Sequence, residues 1–446
     1  MDADFRFRGA IDRAGHFRPD VGTMNLHPLP FALTMAMALS ASAADWAGYR
    51  GPNHDGTSSE RIATSWPVSG PKVLWKVPSQ AGFSSFAVAD ERCFVQELRE
   101  VDGAVQESLV ARSAKDGKEL WVRGLGTMKT GDGGDDGAGG NKGGDGPRSS
   151  PAVAGKLVYT VSAKLVVRAF DVATGKEAWK RDLVKEHAGR NISWQNAQSP
   201  VVEDGRLFVA GGGPGESLLA LDAKTGATLW KIGDEKMTHA TAVPAKIHGV
   251  RQIVWFVQSG LVSTDPASGR ELWKFAFPYK VSTAASPVVS GDIVYCSAGY
   301  GVGAAAARVS KADGKWTATE IYRFPGNRPL ANHWSTPVLK DGHLYGMFQF
   351  KEYGTGPVKA VDIATGTVKW EKGGFGPGHV VLTRSGVLAL DDDGELVLFE
   401  DQPGAYKELA RTKVLEGKCW TTPVVSGGRV FARSTKEAVC LEVTPR

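Results

Sequence analysis

The sequence predicts an all-β protein: an eight-bladed β-propeller of four-stranded antiparallel blades, closed by an N-terminal strand that joins the last blade. Three observations predict it: a two-hairpin unit that recurs along the chain, a count of eight unit starts, and a final unit that stops one strand short. The clearest copy runs from Ser199 to Trp230. Ser199-Pro200-Val201-Val202 opens on β-branched residues, breaks at Asp204-Gly205 and resumes from Arg206 to Val209, which reads as strand, tight turn, strand. A second hairpin follows, with Leu218 to Leu221 apolar, a turn from Asp222 to Gly226 whose glycine suits a φ > 0 position, and a last strand marked by Trp230. Four such strands expose an apolar face that only another copy can bury. Copies must therefore stack, and a four-stranded repeat of roughly 40–50 residues is the propeller period.

The turn-plus-tryptophan phrase returns at Lys115-Asp116-Gly117 to Trp121, Asp171 to Trp179, Asp265 to Trp273 and Asp362 to Trp370, with a degraded copy from Lys311 to Trp316. The strand-opening phrase stands at Ser150-Pro151, Ser199-Pro200, Ser286-Pro287, Thr336-Pro337 and Thr422-Pro423, with weaker versions at Ser85-Phe86, Thr241-Ala242 and around Val381. These make eight blade starts. The last copy, Thr422 to Val443, holds three strands, while Pro71 to Lys76 is an orphan outer strand carrying Trp75. Pairing the two would close the ring and remove two exposed sheet edges.

With 446 residues, 42% hydrophobic and 23% charged, the composition excludes disorder and collagen. The net charge of +5 is spread without a basic run, so no nucleic-acid partner is expected. The apolar run Leu29 to Leu39 is too short to span a bilayer. Ala41-Ser42-Ala43 after it fits signal-peptidase cleavage before Ala44, so residues 1–43 read as a signal-peptide region, with Met24 as an alternative start. The propeller then occupies residues 44–446 of an exported, periplasmic or secreted chain, expected to be a monomer without a membrane span. No cysteine follows the signal region closely, so lipid attachment there is not expected. Cys93, Cys296, Cys419 and Cys440 lie far apart without metal-ligand spacing and are expected as free buried thiols, a disulfide remaining open. Residues 126–147 form one long loop, and its Gly131 to Gly140 run alternates Asp with Gly. A solvated loop is the expected reading, with weak calcium binding as the alternative.

The phrases S/T-P-V-V, Asp-x-x-Thr-Gly and terminal Trp resemble the pyrroloquinoline-quinone-like repeat superfamily of eight-bladed propellers, over about Trp46 to Val443. The resemblance implies one of two branches. Quinoprotein alcohol dehydrogenases hold pyrroloquinoline quinone with a calcium ion, a catalytic aspartate and usually a disulfide between adjacent cysteines, a pair this chain lacks. The non-enzymatic branch includes the BamB-like outer-membrane-protein assembly factors. That branch is the nearer one, which implies a binding or scaffold module for an envelope protein or another partner, with no cofactor. A quinone-dependent dehydrogenase is the alternative.

In a propeller the innermost strands all begin at one end of the central channel, so the residues just before each strand-opening phrase converge in a ring. Three places before the Pro or its equivalent stand Phe83, Arg148, Ala197, His239, Ala284, Trp334 and Trp420, with His379 in the seventh blade; Asn196 and His333 sit one place earlier. Arg148, Asn196, His239, His333, Trp334, His379 and Trp420 are the candidate binding residues. The set is aromatic, cationic and imidazole without a carboxylate, which favours recognition of a polar or anionic ligand over hydrolysis, calcium binding or quinone chemistry. Arg148 is the candidate anion handle. The alternative is that Trp334 and Trp420 fill the channel while backbone groups satisfy the histidines. Metal binding by His239, His333 and His379 would need three blades to place them together.

Overall fold

The computed structural model describes residues 45–128, 146–280, 283–327, 329–348 and 356–445, within one compact unit that spans Ala43–Arg446. The signal-peptide region and most of the Gly/Asp-rich loop, Asp145 included, lie outside the described residues. Each sequence repeat folds into one antiparallel four-stranded sheet, because each turn phrase returns the chain beside the strand it has just left. There are eight such sheets. The third blade is representative, with strands Val201–Glu203, Arg206–Ala210, Leu218–Asp222 and Thr228–Ile232 in spatial order. All eight inner strands begin where the strand-opening phrases place them, the seventh at Gly378–Thr383.

The eighth blade takes its outer strand from the N-terminal side. Lys72–Pro78 pairs antiparallel with Glu437–Glu442, Trp75 facing Cys440. A buried polar seam reinforces this join. Glu97 of the first blade and Arg433 of the eighth are both fully buried, 3.7 Å apart, and Ser79 at the end of the closing strand donates to Glu97 Oε2 at 2.6 Å. Burial alone would lift the Glu97 pKa, but Arg433 and Ser79 outweigh it and hold the carboxyl below its ordinary range.

The repeated tryptophans and glycines form one device. Gly226 lies at φ +74 with the Trp179 ring of the preceding blade 2.8 Å from where a Cβ would stand, and Trp179 Nε1 donates to the Ala223 carbonyl of the same turn. The same seat joins Trp75 to Gly117, Trp121 to Gly175 and Trp230 to Gly269. In each turn the aspartate side chain accepts local N–H groups, as Asp222 does from Thr225, and so fixes the glycine conformation. The Ser/Thr of the opening phrase links the inner strands in turn. The backbone N–H of Ser85 donates to Ser150 Oγ, that of Ser150 to Ser199 Oγ, that of Ser199 to Thr241 Oγ1, and that of Thr422 to Ser85 Oγ, each at 2.8–2.9 Å.

The degraded copy from Lys311 to Trp316 is a different structure from its relatives. It forms the tip of a long hairpin, Gly303–Ala312 with Lys315–Pro325, and Gly314 has open space where the other glycines meet a ring. Tyr322 is the residue that corresponds to the blade tryptophans. It pairs with Ala306 just before the register shift that follows Ala169, Ala220 and Ala360 at their tryptophans, and it lies beside Gly366 of the next blade together with Phe324. The seat survives with Tyr322 and Phe324 in place of one indole.

Residues 45–63, to which the repeats assign no role, cross the channel. Trp46 bridges Val88 of the first blade, the Ala47 carbonyl accepts from Val153 of the second, and Arg50 reaches the sixth, where it donates to the Thr336 and Pro337 carbonyls at 2.9 Å. The strap then touches Leu382 through Thr57 and binds the Gly427 and Gly428 N–H groups through Glu60. Among the described residues no helix is long and apolar enough to cross a membrane.

Candidate functional site

The loops that lead into the inner strands gather at one end of the channel, opposite the short turns that join first strand to second. A wall of rings lines this mouth. Trp334 of the sixth blade lies 5.3 Å from Trp420 of the eighth and 4.8 Å from His379 of the seventh, and Trp420 lies 5.1 Å from Phe83 of the first, all centroid to centroid. Lys418 Nζ stands 4.2 Å over the Trp420 ring, a cation–π contact. Phe83, Trp334 and Trp420 keep part of their surface exposed, because the repeat places them on loops rather than between blades.

Arg148, His239 and His333 make the other side. Burial, then the nearby charges of Arg148 and His333, push His239 down to about 3; burial pushes His333 down to about 4; burial and Arg50 push His379 down to about 3. At neutral pH the mouth therefore holds three uncharged imidazoles. His239 is 7% exposed, and its Nε2 has no hydrogen-bond partner among the described residues. Tyr300 meets the edge of His333 at 4.7 Å.

Arg148 is half-buried and donates through Nη1 to the Trp194 carbonyl at 2.9 Å. The sequence ring contains no acid, yet the charge of Arg148 is felt by Glu107, a fully buried carboxyl of the first blade. Arg148 is thus not the isolated cation that the sequence suggests. Glu107 accepts from the Ala163 N–H at 2.9 Å through Oε2, its Oε1 lacks a partner among the described residues, and burial pushes its pKa up to about 7 against Arg168, Arg148 and Lys164.

Asn196 belongs to the loop scaffold. It is 1% exposed, its Nδ2 donates to the Ser162 and Gln198 carbonyls and its Oδ1 accepts from the Gln198 N–H, which occupies the amide on backbone. His379 stands inside the seventh inner strand, opposite Leu390, rather than ahead of it. Ala197 and Ala284 leave the wall open at the third and fifth blades, where Trp194 and Tyr300 stand instead, 42% and 50% exposed. Neither carries a repeat phrase; Trp194 and Tyr300 both lie in loops at positive φ, where the repeat register is silent. Asp392 is also at this end, its backbone carbonyl accepting from the Cys419 N–H and its side chain pushed up to about 6 by burial and by Asp393 and Asp391.

The quinone and calcium implied by the dehydrogenase branch meet a donor set of another kind. The four cysteines are buried free thiols, none adjacent to another. Among the described residues, Glu107 and Asp392 lie on different blades, and burial disfavours their charge, the property a hard cation needs in its ligands. These residues do not fit that group.

The family described as outer membrane protein assembly factor BamB matches residues 106–346 and 354–441. The chain belongs to this family. It is a BamB-type propeller within the pyrroloquinoline-quinone-like repeat superfamily. The outer membrane protein assembly factor BamB of Shewanella oneidensis is 23% identical over 292 residues, which cover 62% of this chain and 69% of that protein. Among solved structures, the quinohemoprotein alcohol dehydrogenase of Comamonas testosteroni superposes with TM-score 0.65 at 12% identity, covering 90% of this chain and 81% of that one. BamB from Moraxella catarrhalis superposes with TM-score 0.54 at 14% identity, covering 82% of this chain and 97% of that one. At such identities the superpositions establish the shared fold, on which unrelated activities can be built.

Proposed function

We propose that this protein is an exported binding and scaffold propeller of the cell envelope, non-enzymatic and monomeric, whose mouth engages an envelope protein or other ligand. The observation that carries the reading is the meeting of Phe83, Trp334 and Trp420 from three blades, each still partly exposed, beside imidazoles that burial keeps neutral. Partly exposed aromatic side chains with few charges are what recognition surfaces use, since they bring large contact area at low ordering cost. Membership of a family described as an assembly factor of outer membrane proteins supports a protein partner, and with it a periplasmic location. Within this reading Arg148, His239, His333, Trp334, His379 and Trp420 form the contact face, and Asn196 supports it from behind.

Co-purification from the envelope fraction tests the reading. The wild-type protein should retain a partner that the Trp334→Ala/Trp420→Ala double variant loses, with the melting temperature of the two proteins alike. Purified protein mixed with pyrroloquinoline quinone and calcium should show neither bound-quinone absorbance nor dye-linked alcohol oxidation. Saturable cofactor binding with alcohol turnover would establish the dehydrogenase reading instead.

A further inference from the structure

We infer that a cavity between the strap and the inner strands, at the end of the channel away from the mouth, is a second binding site, which takes a small oxyanion, a carboxylate or a phosphate, on Lys246 and Arg251. The site stands independently of what the mouth engages.

The cavity comes first. Asn53, His54 and Thr57 of the strap line it together with the inner strands of the fourth and fifth blades, Val243–Ile247 and Val288–Ser290, and it encloses about 370 Å³. Gly291, in the turn that ends the fifth inner strand, lines it as well, which places it at the turn end of the channel. Pockets of about 300–1,000 Å³ are the size that holds small ligands. Val288 and Leu339 make part of the wall apolar, and charged and amide groups make up much of the rest.

The charges decide the class of ligand. Lys246 and Arg251 stand directly opposite each other in the first hairpin of the fourth blade, and both line the cavity. Like charges in that register repel, an arrangement that a sheet normally avoids. Glu203 of the third blade pairs with Arg251 through Nη2. Lys246 is exposed, and neither its Nζ nor the Asn53 amide has a hydrogen-bond or ion-pair partner among the described residues.

The other charged groups of the lining are already engaged. Arg50 donates to the Asp55, Thr336 and Pro337 carbonyls, and Asp55 accepts the Thr57 N–H through Oδ1. Burial and the charge of Arg251 push His54 down to about 4, so it adds no charge at neutral pH. Arg50, Lys246 and Arg251 thus face two acids, Asp55 and Glu203, and Lys246 is the cation left over. An oxyanion seated between Lys246 and Arg251 relieves their repulsion. It accepts from Lys246 Nζ, from the Arg251 nitrogens that Glu203 does not engage and from the Asn53 amide. A neutral ligand would leave the repulsion in place.

The test is calorimetric titration of the purified protein with inorganic phosphate and with succinate. Saturable binding of at least one is expected, with a Kd of about 1 mM or tighter. It should weaken as NaCl rises from about 0.05 to 0.5 M. Lys246→Gln should weaken binding at least about tenfold, while Lys246→Arg retains it. Lys246→Glu should abolish binding yet leave the melting temperature equal or higher, since it sets opposite charges in register with Arg251. Lys224→Gln removes one charge from an exposed turn of the third blade and should change nothing. The Trp334→Ala/Trp420→Ala double variant should bind these anions as the wild type does, so failure of the mouth reading leaves this one intact. No binding of either anion at about 10 mM, binding indifferent to Lys246, equal weakening by Lys224→Gln, or loss of binding in the double tryptophan variant overturns the inference.

Discussion

His239, His333 and His379 show how the site is coupled to stability. In the unfolded chain a histidine takes up its proton near pH 6.5, but burial keeps these three neutral until about 3, 4 and 3. Between those values the unfolded state binds more protons, so this stability is fully present above about pH 6.5 and is lost as pH falls below it. His333 is partly exposed and contributes less than the other two. Glu107 and Asp392 act in the opposite sense. Raised to about 7 and about 6, they keep protons when folded that the unfolded chain releases above about pH 4.5, so they become a growing cost as pH rises. Glu107→Gln should therefore lose more stability than wild type between pH 7 and 5, by on the order of 1.4 kcal/mol per pH unit. Urea midpoints at the two pH values measure it, and parallel curves would contradict the buried placement of Glu107. The glycine seats make a second residue-scale prediction. Gly226→Ala forces a Cβ against Trp179 at φ +74 and should cost about 1–3 kcal/mol. Gly205→Ala, at φ +73 but with open space around it, should cost only the backbone part. The difference between the two is the packing of the seat.

Two N-terminal elements that precede the first full copy hold the ring together. The closing strand Lys72–Pro78 buries Trp75, whose Nε1 donates to the Ala114 carbonyl at 3.0 Å and whose ring faces Phe431. Trp75→Ala should cost about 3–5 kcal/mol in denaturant unfolding, and an unchanged melting temperature would contradict the closure. Arg433→Ala removes the donor to the Ser84 and Gln80 carbonyls at the same seam, while Arg99 at 3.0 Å and Arg112 at 3.5 Å still pair with Glu97, and should cost about 1–3 kcal/mol in denaturant unfolding. The strap is the second element. Arg50 is buried and joined to the first and second blades through the Trp46-Ala47 segment and to the sixth through its guanidinium, so it ties opposite sides of one channel. Arg50→Lys keeps the charge but loses the fork that reaches two carbonyls at once. It should lower stability and speed proteolysis within residues 45–63, which mass spectrometry of the limited digest would show.

At the scale of the whole molecule, N-terminal sequencing of envelope-fraction protein should find a start near Asp45-Trp46; recovery from the cytoplasm with Met1 or Met24 attached would rule out export. Blade number, blade starts and the closing strand were legible because each is written as a local phrase whose physics repeats: β-branched residues for strands, Asp and Gly for the turn, an indole for the seat. Where a copy decays the register slips. The Lys311 to Trp316 phrase imitates the motif, yet the long hairpin carries Trp316 past the seat, where Tyr322 stands, a fact that only strand pairing reveals. The order of residues along the chain also determined which side chains approach one end of the axis, since equivalent positions in stacked repeats must converge. Their roles were decided by the tertiary structure. Asn196 turns its amide to the backbone, the charge of Arg148 is felt by Glu107 of another blade, and His239 Nε2 has no hydrogen-bond partner among the described residues. Trp194, Tyr300 and Arg50 enter from segments outside the repeat. Repetition specifies the positions that every blade shares, because the same local forces act in each copy. The mouth is made where the copies differ, and what a side chain does there depends on burial and neighbours drawn from blades far apart in sequence.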